Sequence, residues 1–291
     1  MRKTGYVLFI SLLSLLLIGC APRKAVRVTI TNPLPFDRSE ELAEIDLSTL
    51  QKLLPLADGQ TYRVLDDTKT AVTSQATYDG LLVFPSGTKE AESKKYQIIA
   101  ASDTKAYPTK TYGRYISERK DDFAWENDRV AFRVYGPALL PIDGPSNGID
   151  IWYKRTNELI IDKWYEKDLA GKGSYHNDNG EGLDDYKVGQ TLGAGAMAPY
   201  IDDSLVLNSN YVTQQLLENG PLRTTFELTY APLDINGKQV HEKRIFSIDA
   251  GTQLTKVIQA YTVDKPMEVA AGIVLRAGQD GYQHNQEKNY V

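Results

Sequence analysis

Leu222-Arg-Thr-Thr-Phe-Glu-Leu-Thr-Tyr230, Asn236-Gly237, Val240-His-Glu-Lys-Arg-Ile-Phe-Ser-Ile248, Asp249-Ala-Gly251 and Leu254-Thr-Lys-Val-Ile-Gln-Ala-Tyr-Thr-Val263 follow one another with short connections. Each long run alternates apolar and polar residues, the period of a half-buried strand, and Asn-Gly supplies the left-handed conformations that a two-residue hairpin turn requires. The stretch reads as an antiparallel meander. In its first strand Phe226, Leu228 and Tyr230 take the core face, while Arg223, Thr225, Glu227 and Thr229 leave the other face markedly polar.

The same period recurs upstream. In Arg129–Gly136, Val130, Phe132 and Val134 share one face and Ala131, Arg133 and Tyr135 the other, so Arg133 leaves the core side. Gly148–Lys154 and Leu159–Tyr165 flank the polar connection 155–158 and predict a hairpin that sets Asp150 opposite Lys163 as a charge pair, with Trp152 and Trp164 as packing residues. Nearer the N-terminus, strands are expected at Val26–Ile30, Tyr62–Leu65, Gly80–Phe84 and Tyr96–Ala101. Asp46 caps one short helix through Leu50, Leu53 and Leu54. The chain is mainly β: a small N-terminal β-sandwich over residues 21–107, a junction at Thr104–Lys110, and a larger antiparallel domain over residues 108–291.

Residues 1–20 carry their own message. Arg2 and Lys3 precede an apolar run, Tyr6 to Ile18, shorter than the roughly 20 residues a spanning helix needs, so the segment reads as a secretory signal. It ends in Leu17-Ile18-Gly19-Cys20, which resembles a bacterial lipobox, where the cysteine is lipidated. Cys20 is the single cysteine in the chain, as expected of a membrane anchor in an exported protein that forms no internal disulfide. Ala21, where an aspartate would favour inner-membrane retention, points to the outer membrane. A net charge of −5 and a pI near 5.4 argue against a nucleic-acid partner, which needs a clustered basic surface. Eighteen tyrosines against seven phenylalanines suit a surface where aromatic faces meet sugar, and equally suit strands in any extracytoplasmic β-protein.

The best candidate for chemistry is residues 174–189, which hold His176, four acids, two tyrosines and three glycines. So polar a loop is either solvated or organised around a ligand, an ion or a reacting group. Its acids, Asp178, Glu181, Asp184 and Asp185, with Asn179, are hard oxygen donors that calcium accepts, although their spacing is not that of an EF-hand. Zinc lacks a second ligand near His176. His241 and His284 read as ordinary solvated or hydrogen-bonded residues, and Arg223 as either a ligand cation or the partner of Glu227.

Three stretches, Glu118–Asp128, Tyr175–Asp184 and Asn219–Thr224, resemble the domain of unknown function 4861 family over nearly the whole mature chain. The resemblance implies exported proteins of polysaccharide-degrading bacteria and a galactose-mutarotase-like supersandwich behind a smaller β-domain. It also implies some further hundred residues, so the supersandwich is expected to be C-terminally incomplete after the strand at 267–275.

The resemblance also implies a setting among enzymes that attack pectin-like polymers, so the expected activity is on a uronic-acid-containing, pectin-like poly- or oligosaccharide. His176 with Glu181 or Asp184 would supply acid and base. For β-elimination His176, Tyr175 or Tyr186 would be the base, and Arg133 or Arg223 the cation on the uronate carboxylate. Hydrolysis would instead use two carboxyl groups, Glu181 with Asp184 or Glu126. Trp125 reads equally as a stacking platform or as a core tryptophan. The alternative is a non-catalytic glycan-binding lipoprotein, which needs exposed aromatics and no aligned acid and base.

Overall fold

The computed structural model describes residues 25–103 and 105–274; Cys20 and His284 lie outside the described residues. The first segment contains β1 (Val26–Thr31), β2 (Leu42–Asp46), α1 (Leu47–Leu53), β3 (Thr61–Leu65), β4 (Ala71–Val72), β5 (Gln75–Ala76), β6 (Leu81–Pro85) and β7 (Ser93–Ala101). They form two antiparallel sheets, ordered β1-β7-β3-β4 and β2-β6-β5. Val64, Leu82, Phe84, Tyr96 and Ile98 fill a core with Leu50 of α1. Asp46 caps that helix as its sequence predicts, accepting the Thr49 amide at 2.6 Å. Asp46→Ala is expected to lower the urea midpoint with the slope unchanged.

The middle of the chain builds the sheet that carries the site. Its elements are β8 (Thr111–Ile116), β9 (Asp122–Asn127), β10 (Val130–Val134), α2 (Leu140–Asp143), β11 (Asp150–Lys154), α3 (Ile161–Leu169) and β12 (Gly182–Leu183), with sheet order β12-β11-β10-β9-β8. The remainder supplies β13 (Ala194–Ile201), β14 (Ser204–Leu205), β15 (Thr213–Asn219), β16 (Arg223–Thr229), β17 (Leu233–Ile235), β18 (Lys238–Asp249), β19 (Thr255–Thr262) and β20 (Val269–Ile273). The predicted meander is present: β18 pairs antiparallel with β16, β17 and β19, and Asn236 and Gly237 both have positive φ in the turn.

Period-two alternation explains how these layers meet. Phe123, Trp125, Phe132 and Val134 project from one face of the middle sheet onto Phe226, Leu228, Phe246 and Ile248 of the meander. The Phe226 ring lies 3.9 Å from that of Phe123 and 4.8 Å from that of Phe246. The opposite face of the middle sheet is covered too: Ala124, Ala131 and Trp152 pack under Ile161, Trp164, Tyr165 and Tyr175. A sheet buried on both faces is what makes every residue of β9 and β10 inaccessible.

Here the predicted second hairpin is corrected. Residues 161–169 form α3 rather than a strand, with Ile161, Trp164 and Tyr165 on its buried side. Those three positions fall at i, i+3 and i+4, which is one face of a helix, whereas a strand would turn Trp164 away from Ile161 and Tyr165. A non-local contact favours the helix: the buried Glu126 carboxylate accepts the Ile160 and Ile161 amides at 2.8 Å, placing negative charge at the helix N-terminus. The expected Asp150–Lys163 pair is therefore absent. Arg133 is the residue opposite Asp150, and Lys163 pairs with Glu181 at 2.5 Å. Trp152 and Trp164 do pack, with stacked rings 5.6 Å apart.

Candidate functional site

A polar cleft of about 540 Å3 opens beside the buried face of the middle sheet, lined by Arg119, Arg133, Tyr135, His176, Asp184 and Tyr186 among others. The loop 174–189 reaches it because its centre is tied to the sheet. Gly182 and Leu183 form the edge strand β12 against Tyr153 and Lys154, and Gly182 is forced by close approach: a Cβ there would lie 1.9 Å from the Tyr153 carbonyl oxygen. The Asp184 amide donates to the Tyr175 carbonyl at 2.9 Å, closing the loop so that Tyr175, His176 and Asp184 stand together. Tyr175 anchors this end by stacking on Trp152 at 5.1 Å.

Beneath the loop sits Arg133. It is 1% exposed and donates from Nε and Nη2 to Asp150 Oδ2 at 3.0 and 2.6 Å, from Nη2 to Asp184 Oδ2 at 2.7 Å, and from Nη1 to the Tyr175 hydroxyl at 3.3 Å. Asp122 Oδ2 lies 3.7 Å away. Alternation correctly sends Arg133 away from the main core, but the second covering layer buries it there. A guanidinium whose donors are taken by protein carboxylates does not also bind a substrate carboxylate. Its expected role as the uronate-binding cation is therefore corrected: it holds Asp184 and the floor of the cleft.

His176 projects into solvent at the mouth, its side chain 59% exposed, with Nδ1 3.0 Å from the Asp184 carbonyl oxygen and 3.5 Å from Asp184 Oδ2. Burial pushes the Asp184 carboxyl up to about 6; the Asp150 charge adds to this, whereas Arg133 and His176 pull it down. His176 and Asp184 thus share one opening, the arrangement proton transfer requires.

The raised value has a consequence for stability. Between 3.8, the ordinary value, and about 6, the folded state holds the Asp184 proton more tightly than the unfolded chain, so its contribution to stability falls as pH rises through that window. Asp184→Asn is expected to remove this dependence. In urea unfolding at pH 4.5 and 7, the wild type loses about 2 kcal/mol more than the variant on going to pH 7; equal losses would contradict it.

The structure therefore brings His176, Asp184, Tyr186, Tyr175 and Arg133 together and separates the other expected site residues from them. Glu181 turns away, bonded to Lys163 and to the Trp164 indole at 3.3 Å. Glu126 is fully buried and ion-paired with the equally buried Lys154 at 2.7 Å. Trp125, 0% exposed, is a core tryptophan whose ring lies 5.5 Å from that of Phe132 and whose Nε1 donates to Thr255. Arg223 grips both carboxylate oxygens of Asp249 at 2.6 and 2.8 Å and reaches Glu44 at 2.6 Å, joining the meander to β2; Glu227 pairs with Lys243 instead.

The acids that suggested calcium also diverge, since Asp178 pairs with Arg155, Glu181 with Lys163 and Asp184 with Arg133. Among the described residues no group of three His, Cys, Asp or Glu side chains is placed to hold a metal ion. Nor, among them, is any helix long and apolar enough to cross a membrane.

Sequence reasoning missed Arg119, Tyr135, Asp122 and Asp150. Tyr135 shares a strand face with Arg133, a usable signal. Asp150 needed the β10–β11 register, and Arg119 the path of the β8–β9 turn.

The chain belongs to the family described as Domain of unknown function (DUF4861), which matches residues 30–291. A Formosa agariphila protein named "Uncharacterized protein P7" is 33% identical over 287 residues, covering 91% of this chain and 70% of its own length. No solved structure matches the chain.

Proposed function

We propose that the protein acts on acidic, uronic-acid-containing carbohydrate by general acid–base chemistry in the His176 cleft, and that β-elimination is the reaction. The observation that carries this reading is the convergence of His176 and Asp184 on one opening, with tyrosine and guanidinium groups around it. Elimination needs a base for the proton at C5, positive charge near the uronate carboxylate, and a proton for the departing oxygen at C4. His176 is the base. As the C5 proton leaves, its electron pair forms the C4–C5 double bond, the C4–O bond breaks, and the oxygen takes a proton from a cleft tyrosine. Tyr135 suits that role, because burial, reinforced by the Asp150 and Asp184 charges against Arg133, pushes its hydroxyl upward and keeps it protonated. Hydrolysis is less well supported, since Glu181 and Glu126, its expected carboxylates, face away from the cleft and two flanking carboxyl groups are required.

The lipobox-like Leu17–Cys20 supports export and a lipid anchor in the outer membrane, which would hold the enzyme beside a large polymer. Loss of labelled palmitate incorporation in Cys20→Ala tests the anchor.

The reaction is tested by incubating the full-length protein with a panel of pectic and other uronate polymers, following absorbance near 235 nm for unsaturated ends and reducing ends for hydrolysis. Absorbance that grows with the wild type and not with His176→Ala is the expected result. Reducing ends without absorbance would replace elimination by hydrolysis, and glycan binding with neither signal would leave a binding lipoprotein.

A further inference from the structure

The geometry points to Arg119, at the tip of the β8–β9 hairpin, as the residue that selects acidic sugars by receiving their carboxylate; this rests on the reading of the cleft as a carbohydrate site. Two guanidinium groups line the cleft, and they differ in what they have left to offer. Arg133 is used on all three nitrogens. Arg119 engages Asp122 through Nη1 alone, at 3.1 and 3.0 Å from its two oxygens. Its other fork edge, Nε and Nη2, has no protein acceptor among the described residues. A carboxylate is the ligand that matches a planar two-donor edge.

The hairpin tip is built to hold that edge still. Asp122 is fully buried and also accepts the Tyr165 hydroxyl at 3.1 Å, so Arg119 is tethered to a fixed point. Its guanidinium lies over the Tyr135 ring at 5.6 Å. The next two residues, Lys120 and Asp121, both have positive φ, at 54° and 61°. Non-glycine residues adopt this conformation at a cost of roughly 1 kcal/mol or more each, which the surroundings must offset. They do so here: Asp121 bonds to the Tyr115 and Tyr211 hydroxyls, and Gly136 packs so closely that a Cβ would lie 1.8 Å from the Asp121 carbonyl oxygen. A strained turn clamped from three sides, presenting a half-used guanidinium to a cleft, is an anion-recognition element in form.

The test is calorimetric titration of the full chain with a uronic-acid oligosaccharide and with its carboxyl-reduced, neutral counterpart. Arg119→Gln is expected to weaken binding of the acidic ligand about 10- to 100-fold while changing the neutral one little. Arg119→Lys, which keeps the charge on Asp122 but lacks the fork, also loses most of the preference, and guards against misfolding of the glutamine variant. A wild type without acid preference, or a preference intact in both variants, overturns the assignment. If elimination product still forms in that case, the proposed reaction survives without Arg119. Acid-selective binding lost in both variants, with no product from any polymer, upholds Arg119 and removes the reaction.

Discussion

Arg133→Met is expected to lower the stability of the fold by about 3–5 kcal/mol at pH 7, the usual loss when one member of a buried ionic cluster is removed. Methionine fills much of the same volume, so the loss is not that of a cavity. It arises because Asp150 and Asp184 lose their cation and Asp122, 3.7 Å away, a close positive charge. All three are nearly inaccessible to solvent, and an uncompensated buried carboxylate is costly until it takes up a proton. The variant should therefore recover part of its stability as pH falls from 7 towards 4, more than the wild type does. A urea midpoint within 1 kcal/mol of wild type at pH 7 would show that the cluster is not as dry as its geometry indicates. Arg119→Met provides the comparison. Arg119 is partly exposed and bonded to Asp122 alone, so its loss should cost clearly less.

The second large effect falls on activity. His176→Ala is expected to reduce turnover of an acidic polymer by about 10²- to 10⁴-fold, the range that a positioned general base contributes. Its unfolding midpoint should stay near wild type, because the imidazole projects from the loop rather than filling the core. That combination separates a chemical role from a structural one. Glu181→Gln should leave turnover within a few-fold, because its carboxylate bonds to Lys163 and Trp164 outside the cleft. The acid limb of kcat/KM for wild type should reflect the Asp184 carboxyl beside His176, with activity rising as pH passes about 6. Equal losses in the His176 and Glu181 variants would mean that the loop, and not the imidazole, matters.

What could be read from the chain beforehand divides by the range of the interaction that decides each feature. The meander of β16 to β19 was legible because alternation and Asn-Gly turns are local signals, and Asp46 as a helix cap for the same reason. The helix α3 was not, since Ile161, Trp164 and Tyr165 have good strand propensity and the helix start is secured by Glu126, some thirty-five positions away. Alternation also told which face Arg133 takes, but not that α3 and Tyr175 close over that face. The same blindness to layers made Trp125 and Glu126 look available to substrate. His176 and Asp184 were legible because one polar loop carries both. Arg119 was not, since its importance lies in how little of its hydrogen-bonding capacity the fold uses.

We propose the His176 cleft as the place where acidic carbohydrate binds and reacts. A crystal structure of His176→Ala with a bound uronic-acid oligosaccharide tests it most directly. The expected result is a sugar ring in the cleft, its carboxylate on the Arg119 guanidinium and its C5 facing the vacated imidazole position beside Asp184. The sugar seated instead in the separate cleft of about 770 Å3 between α1 and β3, near Tyr62 and Tyr107, with the His176 cleft empty, would contradict it.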